Sequence, residues 1–324
     1  MKAPAFWNSA DALLGRLLAP AGSLYAEATA WRLAHGRPWR APVPVICVGN
    51  LTAGGAGKTP IVRDLALRLK RQGLNPGILS RGYGGRARGP LKVDPDRHDA
   101  AQVGDEPLLL ARDAPCWIAA DRAEGARAMV AAGVDVIVMD DGLQNPSLVQ
   151  DLRLIVVDGG VGFGNGRPIP AGPLREHIRD GIARADALVV VGNDVTGIVA
   201  DYSSQLSILQ AITKTQDLQS LSGKRLLAFA GIGRPGKFQT SLTEAGADIA
   251  VFHAFADHHP YDDAELKALA AQAEAIGAHL VTTSKDWIRL SEVWRNRIKA
   301  VPIEVSWKNE ELLTALLARL PRHG

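Results

Sequence analysis

Residues 45–60 read Val-Ile-Cys-Val-Gly-Asn-Leu-Thr-Ala-Gly-Gly-Ala-Gly-Lys-Thr-Pro. An apolar strand runs into a glycine-rich turn, then into Lys58-Thr59 at the start of a helix. That order suits a phosphate-binding loop. Small residues let the backbone aim N–H groups at an anion, and the helix N-terminus adds partial positive charge. The cradle would be Thr52, Ala53, Gly54, Gly55, Ala56 and Gly57. Lys58 would reach the β- and γ-phosphates, and the Thr59 hydroxyl would ligate Mg²⁺. Pro60 falls in the first helical turn, where its missing N–H costs nothing. The strict pattern has glycine five positions before Gly57, where this chain has Thr52, so the loop is a variant. A second apolar run, Val136-Ile-Val-Met, ends in Asp140-Asp141-Gly142. An acid at the end of a neighbouring strand is where such sites hold the metal and its water shell. The chemistry these segments could do is phosphoryl transfer from a nucleoside triphosphate. The guanine-selective Asn/Thr-Lys-x-Asp signature is not formed. Thr213-Lys-Thr-Gln-Asp217 has the wrong spacing and Thr283-Ser-Lys-Asp286 the wrong order, which favours ATP over GTP.

Such a site needs a sheet to carry it. Runs at 45–48, 77–79, 134–139, 154–157 and 187–191 are rich in Val and Ile without strict alternation, as strands buried on both faces are. Helical stretches at 60–72 and 121–132 lie between them, so the expected class is α/β with a mainly parallel sheet. After about residue 200 the texture changes. Residues 204–215 alternate polar and apolar, as a half-exposed antiparallel strand would. Strands at 226–230, 250–255, 280–282 and 300–305 then alternate with helices at 235–244, 262–276 and 309–320. The expected organisation is a head at 1–40, a nucleotide-binding unit at 41–221 and a smaller α/β unit at 222–324. A cleft between the two units is the expected ligand site.

Bulk composition excludes several classes. The chain has 324 residues, 37 Lys+Arg against 34 Asp+Glu, and 47% hydrophobic residues, so it carries enough apolar mass for a core. A net charge of +3 is too small for a nucleic-acid coat. Two cysteines, Cys47 and Cys116, are too few for a disulfide scaffold or a cysteine zinc site. No apolar run spans a bilayer, and Arg16 interrupts what could pass for a signal peptide. The expected location is the cytosol or the cytosolic face of a membrane.

Four further segments carry more polar residues than sheet connections need. They are Ser80-Arg-Gly-Tyr-Gly-Gly85, Gly104-Asp-Glu-Pro107, Pro170-Ala-Gly-Pro-Leu-Arg-Glu176 and Phe255-Ala-Asp-His-His259. With the phosphate loop and Asp140-Asp-Gly-Leu-Gln144, in this order, they resemble the tetraacyldisaccharide 4′-kinase family, the lipid A 4′-kinases. The resemblance runs over nearly the whole chain, from the apolar head to Thr283-Ser-Lys-Asp286, and Thr52 is itself a family feature. One departure is Asn145, where the family pattern has His.

The resemblance implies ATP-dependent phosphorylation of the 4′-hydroxyl of a tetraacylated glucosamine disaccharide 1-phosphate, on the cytosolic face of the bacterial inner membrane. It also implies two α/β/α domains with the site between them, the first like a P-loop NTPase. Asp105 matches the family base, and His258 the residue that hydrogen-bonds and tunes it. Asp141 and Glu176 match acids placed around Mg²⁺, beside Asp140 and Thr59. Arg122 and Arg175 match arginines near the reacting phosphates, and Arg81 could meet a substrate phosphate. Asp105 and His258 are 153 residues apart, so the pair would form only when the two units meet. From the residues alone, a soluble sugar or nucleotide kinase, or a switch ATPase with no acceptor, stands beside the lipid kinase. The Asp105/His258 pair and the 170–176 segment favour a kinase. A switch more often carries a second lysine early in its loop, and residues 52–56 have none. The sequence assigns no oligomeric state.

The head holds the whole net charge. Residues 1–40 carry five basic and two acidic side chains, and three of the seven Trp (Trp7, Trp31, Trp39). Phe6, Trp7, Ala10, Leu13, Leu14, Leu17 and Leu18 fall at helical spacing, with Ser9 as the expected N-cap and Pro20 as the stop. Leu24, Tyr25, Ala28 and Trp31 continue a similar face. On composition alone, that face would pack on the body of the protein. The resemblance turns it toward a bilayer, with residues 1–35 lying in the interface and no span.

Overall fold

The computed structural model describes residues 4–9, 11–216 and 221–321. Ala10 of the head and Asp217 lie outside the described residues. Thirteen strands are described: β1 (Val45–Gly49), β2 (Pro76–Ser80), β3 (Leu91–Lys92), β4 (Cys116–Ile118), β5 (Val136–Asp140), β6 (Leu152–Asp158), β7 (Ala187–Val191), β8 (Ser207–Thr215), β9 (Arg225–Ala230), β10 (Asp248–Ala254), β11 (His279–Thr283), β12 (Lys299–Val301) and β13 (Ile303–Trp307). They form two sheets. The larger has the order β13-β8-β7-β6-β1-β5-β2-β4-β3 and the smaller β10-β9-β11-β12. The expected α/β class, with a mainly parallel first sheet and a smaller second unit, is what forms.

Buried strands explain the layers. Every residue of β1, β2, β5 and β7 is buried. Alternate residues of one strand face opposite cores, as the two-residue period of a strand demands. Ile46, Val48, Val136, Val138 and Val189 join the helix Lys58–Arg71 through Ile61, Leu65 and Leu69 on one face. Cys47, Ile137, Met139, Leu188 and Val190 join Met129 and Ile182 on the other. Burial pushes the Cys47 thiol up to about 12 and raises Cys116 as well, so both behave as small hydrophobes. The smaller sheet repeats the scheme. Leu227 and Phe229 face one core, Leu226 and Ala228 the other.

The chain's last stretch departs from the expected organisation. Residues 300–305 read as one strand of the second unit. Instead β12 closes the smaller sheet, and after Pro302 β13 crosses back to lie antiparallel to β8. Trp307 and the helix Glu310–Leu317 then pack into the larger core through Leu313, Leu316 and Leu317. The span 222–324 therefore does not all sit on the smaller sheet. The physical reason is an edge: β8 is parallel to β7 on one side, and β13 covers its other, open side. The polar–apolar alternation of residues 204–215 predicts an antiparallel strand, and β8 meets that description only toward β13.

The head also folds differently. A short 3₁₀ turn, Ala5–Asn8, is followed by helices Leu13–Leu17 and Ala19–Ala34. Ser9 caps neither helix, and Pro20 opens the second rather than stopping the first, because a proline is tolerated in a helix's first turn. Small residues make the seat. Gly15, Gly22, Ala26 and Thr29 are buried, and a Cβ on Gly22 would lie 2.7 Å from the Pro168 carbonyl. Trp7 Nε1 donates to Pro170 O at 3.2 Å, and Asn165 N donates to Trp7 O at 2.8 Å. Leu13, Leu14, Leu17, Leu24, Tyr25 and Trp31 face outward. No helix among the described residues is long and apolar enough to cross a membrane.

Candidate active site

The glycine-rich turn leaves the C-terminal end of β1 and enters the helix Lys58–Arg71 through Gly57, whose φ of 85° is a left-handed conformation that favours glycine. Gly54 and Gly55 are exposed at the tip, and a Cβ on either would meet nothing within 4 Å. Buried Asn50 braces the turn. Its Nδ2 donates to Thr52 Oγ1 and Gly54 O, and its Oδ1 accepts from Lys58 Nζ at 3.1 Å. The 170–176 segment lies alongside. Ala53 N donates to Pro173 O, Thr52 bridges Leu174, and Arg175 N donates to Leu51 O. This pairing positions Arg175 and Glu176.

Acids from β5 line the next position. Asp140 ends the strand, is buried, and accepts from Ser80 Oγ at 3.4 Å through Oδ2, while its Oδ1 has no partner. Burial, then the neighbouring Glu106 charge, pushes its carboxyl up to about 7 against the pull of Lys58. Asp141 is different. Arg175 Nη1 donates to both of its oxygens, at 2.8 and 3.0 Å, and Lys58 Nζ lies 3.6 Å away. Burial raises this carboxyl, yet Lys58 and Arg175 outweigh it and hold it below the ordinary range. Arg122 opens the helix Arg122–Ala131 and is buried. Its Nη1 donates to Ala119 O and Ala120 O, and its Nε has no partner. Burial and then the Arg81 charge lower its affinity for a proton, so this is a cation short of an anion. Glu176 is expected among the acids around Mg²⁺. Both oxygens are engaged, Oε1 by Gln144 Nε2 and Oε2 by Arg184, and the same Gln144 nitrogen holds Asn50 O. Its carboxylate steadies the loop behind Asn50. Asn145, the departure from the family pattern, accepts from Ser147 N and Oγ and so closes a local turn.

The third wall is the short helix Asp105–Leu110. Thr59 Oγ1 donates to Glu106 Oε1 at 3.1 Å, which ties this helix to the phosphate loop. Lys285 from the smaller unit also binds Glu106. Asp105 faces that unit too, where His258 Nδ1 lies 2.8 Å from Asp105 Oδ2 and Arg289 Nε donates to the same oxygen at 2.6 Å. Burial raises Asp105, but the His258 hydrogen bond and the Arg289 charge outweigh it and hold the carboxyl below its ordinary value. The Asp105 bond in turn raises His258, against partial burial. His258, Lys285 and Arg289 follow the C-terminal ends of β10 and β11, and Asp105 and Glu106 meet them from the larger unit. Both sheets thus aim their strand ends into one crevice, where open α/β sheets bind ligands.

Backbone strain marks the same place. Among the described residues, the positive-φ residues other than glycine are Asp141 (56°) and His258 (59°). Such a conformation costs on the order of 1 kcal/mol or more and persists where surroundings over-determine it. The structure brings together Lys58, Thr59, Asp140, Asp141 and Arg175 at the loop, and Asp105 with His258 across the crevice. Asn50, Glu106, Lys285 and Arg289 join them, and no sequence motif assigns a role to these four. Lys285 lies on the four-residue helix Ser284–Trp287 and Arg289 in the turn after it, so no periodicity marks the two together.

Among the described residues no group of three or more His, Cys, Asp or Glu side chains converges as a metal-ligand set. Mg²⁺ does not require one, because it keeps several waters and is bound through one or two protein oxygens plus substrate phosphates. A hydroxyl at Thr59 and the unpartnered buried oxygen of Asp140 fit that requirement.

Over residues 14–321 the chain matches the family described as tetraacyldisaccharide-1-P 4′-kinase. A tetraacyldisaccharide 4′-kinase of Rhodospirillum centenum is 54% identical over 99% of this chain and 97% of its own length. One of Gluconacetobacter diazotrophicus is 53% identical over 95% and 94%. Among solved structures, LpxK from Aquifex aeolicus in complex with ATP superposes with a TM-score of 0.78 at 29% identity, covering 95% of this chain and 99% of that one. A variant phosphate loop at the end of β1, a strand ending in two acids, and this match over nearly the whole length place the chain in one group: it belongs to the tetraacyldisaccharide 4′-kinase family.

Proposed function

We propose that this enzyme moves the γ-phosphoryl group of ATP to the 4′-hydroxyl of a tetraacylated glucosamine disaccharide 1-phosphate at the cytoplasmic face of the bacterial inner membrane, giving lipid IVA and ADP. One observation carries the reading. The first turn of the helix Asp105–Leu110 touches the phosphate loop through Glu106 and Thr59, and the smaller unit through Asp105 and His258. A carboxylate able to accept a hydroxyl proton therefore sits one residue from the group that contacts the loop.

The backbone of residues 52–57 and Lys58 bind the triphosphate. Arg122 and Arg175 add positive charge against the transferring group. Asp105 takes the proton from the 4′-hydroxyl as that oxygen bonds to the γ-phosphorus and the bond to ADP breaks. His258 holds Asp105 and tunes it. Bound Mg²⁺, held by Thr59 and Asp140, would neutralise charge on the triphosphate, with Asp141 fixing Lys58 and Arg175 beside it. With [γ-³²P]ATP and the lipid acceptor in detergent micelles, label is expected to move to the lipid. ATP hydrolysis without lipid labelling would instead make the protein a switch ATPase, and labelling of a non-acylated disaccharide alone would make it a soluble sugar kinase.

The head supports attachment at the bilayer surface. Leu13, Leu17, Leu24 and Trp31 are 71, 68, 73 and 65% exposed, while the small residues face the protein. An acylated substrate stays in the bilayer, so the enzyme must work at the interface, and an apolar face with flanking arginines suits that plane. Burying one leucine contributes on the order of 1.5 kcal/mol, so Leu17→Asp with Leu24→Asp is expected to weaken binding to anionic vesicles by about 100-fold. Unchanged vesicle pelleting would contradict attachment through this face.

A further inference from the structure

The phosphate loop accounts for the near side of the crevice. On the far side, Arg289 makes more contacts than a structural ion pair needs. Its side chain is 8% exposed. Nε donates to Asp105 Oδ2 at 2.6 Å, Nη1 donates to Asp286 Oδ1 at 3.0 Å and to Gly231 O at 3.1 Å, and Nη2 lies 3.2 Å from His258 Nδ1. The guanidinium touches both members of the Asp105–His258 pair.

Its seat is built. Asp286 is fully buried, and its Oδ1 accepts from Arg289, Gly231 N and Tyr261 Oη, each at 3.0 Å. Thr283 Oγ1 donates to Oδ2 at 2.6 Å and caps the turn that carries Arg289. Gly231 O also accepts from the backbone N–H of His258 at 3.0 Å, so the carbonyl that receives Arg289 helps hold the left-handed backbone of His258. Both contacts to Asp105 fall on Oδ2. A planar fork with donors in fixed directions can hold Asp105 Oδ2, Asp286 Oδ1 and Gly231 O at once, and an ammonium group cannot.

We propose that Arg289 is a positioning residue for phosphoryl transfer. Seated by Asp286, it holds Asp105 by Oδ2, the oxygen that His258 also binds, and so presents the other Asp105 oxygen to the acceptor hydroxyl. The inference rests on Asp105 being the base. Its effect is expected in kcat, because it acts on a reacting group through Asp105 Oδ2. Misplacing a catalytic group by about 1 Å costs on the order of 100-fold in rate.

The test uses the full-length enzyme with ATP and the lipid acceptor in micelles. Arg289→Gln is expected to lower kcat about 100-fold with either KM changed less than about threefold. Arg289→Lys keeps the buried charge but not the fork, and is expected to stay at least about tenfold below wild type. In Arg289→Ala, added guanidinium is expected to restore activity severalfold, with no such gain in Asp105→Asn. Full kcat in Arg289→Lys would mean that charge alone suffices and would overturn positioning. A near-wild-type Arg289→Gln beside an inactive Asp105→Asn would overturn this inference and leave the base intact. A near-wild-type Asp105→Asn would overturn both. Should Arg289→Gln fold poorly, the Lys variant and guanidinium rescue decide.

Discussion

Asp105→Asn is expected to lower kcat by about 10³-fold while leaving the KM for ATP within about threefold of wild type. The asparagine keeps the size of the side chain and can still accept from Arg289, but it cannot take a proton. A positioned base contributes about 10²- to 10⁴-fold, and the upper half of that range fits here because the acceptor is an alcohol. His258→Gln is expected to cost about 10²-fold, since Arg289 still holds Asp105 Oδ2 when the imidazole is gone. The double variant should be no slower than Asp105→Asn alone, because the two residues act as one unit and His258 has nothing to tune once the carboxylate is absent. Losses that multiply in the double variant would separate the two residues and contradict the coupled pair.

The pH profile carries the sign of this coupling. In the wild-type enzyme the Asp105 carboxyl is held below its ordinary value of 3.8, and His258 above its ordinary 6.5. The carboxylate's contribution to the pairing is therefore present above the ordinary carboxylate value and lost as pH falls through the lowered one. The histidine's contribution is complete below about 6.5 and lost as pH rises through the raised value. The contact across the crevice is strongest between those limits. In His258→Gln the hydrogen bond that lowered Asp105 is gone while burial, which raises it, remains. The acid limb of kcat is expected to move to higher pH, and superimposable acid limbs would show that His258 does not tune Asp105.

Much of this site is legible in the sequence, for a physical reason. The phosphate loop is contiguous, and its requirements fall on residues next to one another, so Lys58, Thr59 and the small residues from Thr52 announce themselves. Asp140 is legible because a doubly buried strand must end where its polar residue begins. Glu106, Lys285 and Arg289 are different. Each gains its meaning from a partner at least 47 residues away, and no local pattern encodes that meeting. The return of β13 to the larger sheet is hidden for the same reason, since an apolar run states that it needs a neighbour and not which sheet supplies it. The head shows which part of a periodic pattern composition alone leaves open. Taken alone, its apolar periodicity would pack on the body, but the face that packs is the one bearing Gly15, Gly22 and Ala26, because only small side chains allow backbone approach to Pro168 and Ala171. Large residues at helical spacing say that a face exists. The small ones decide which way it turns.

Lys58→Ala is expected to lower kcat/KM by about 10³-fold, with both kcat and the KM for ATP affected. The lysine stands among Asp140, Asp141 and Glu106, whose charges it offsets together with Arg175 and Lys285. When a triphosphate enters, negative charge is added to a pocket that already holds the carboxylates of Glu106 and Asp141, and Lys58 is the cation borne by the loop itself. Removing it exposes the phosphates to repulsion from Asp141 in the ground state, which raises KM. It also removes a donor aimed where charge shifts during transfer, which lowers kcat. A single donor of that kind is worth about 10²- to 10³-fold, and a loss of 10³-fold corresponds to about 4 kcal/mol of transition-state stabilisation. The fold should tolerate the change. Arg175 still neutralises Asp141 through two hydrogen bonds, and Asn50 still braces the turn through Thr52 and Gly54. Thermal unfolding is expected to shift by only a few degrees while activity collapses. A variant that loses affinity for ATP but keeps kcat would show that Lys58 binds the ground state alone, and the transferring charge would then fall to Arg122 and Arg175.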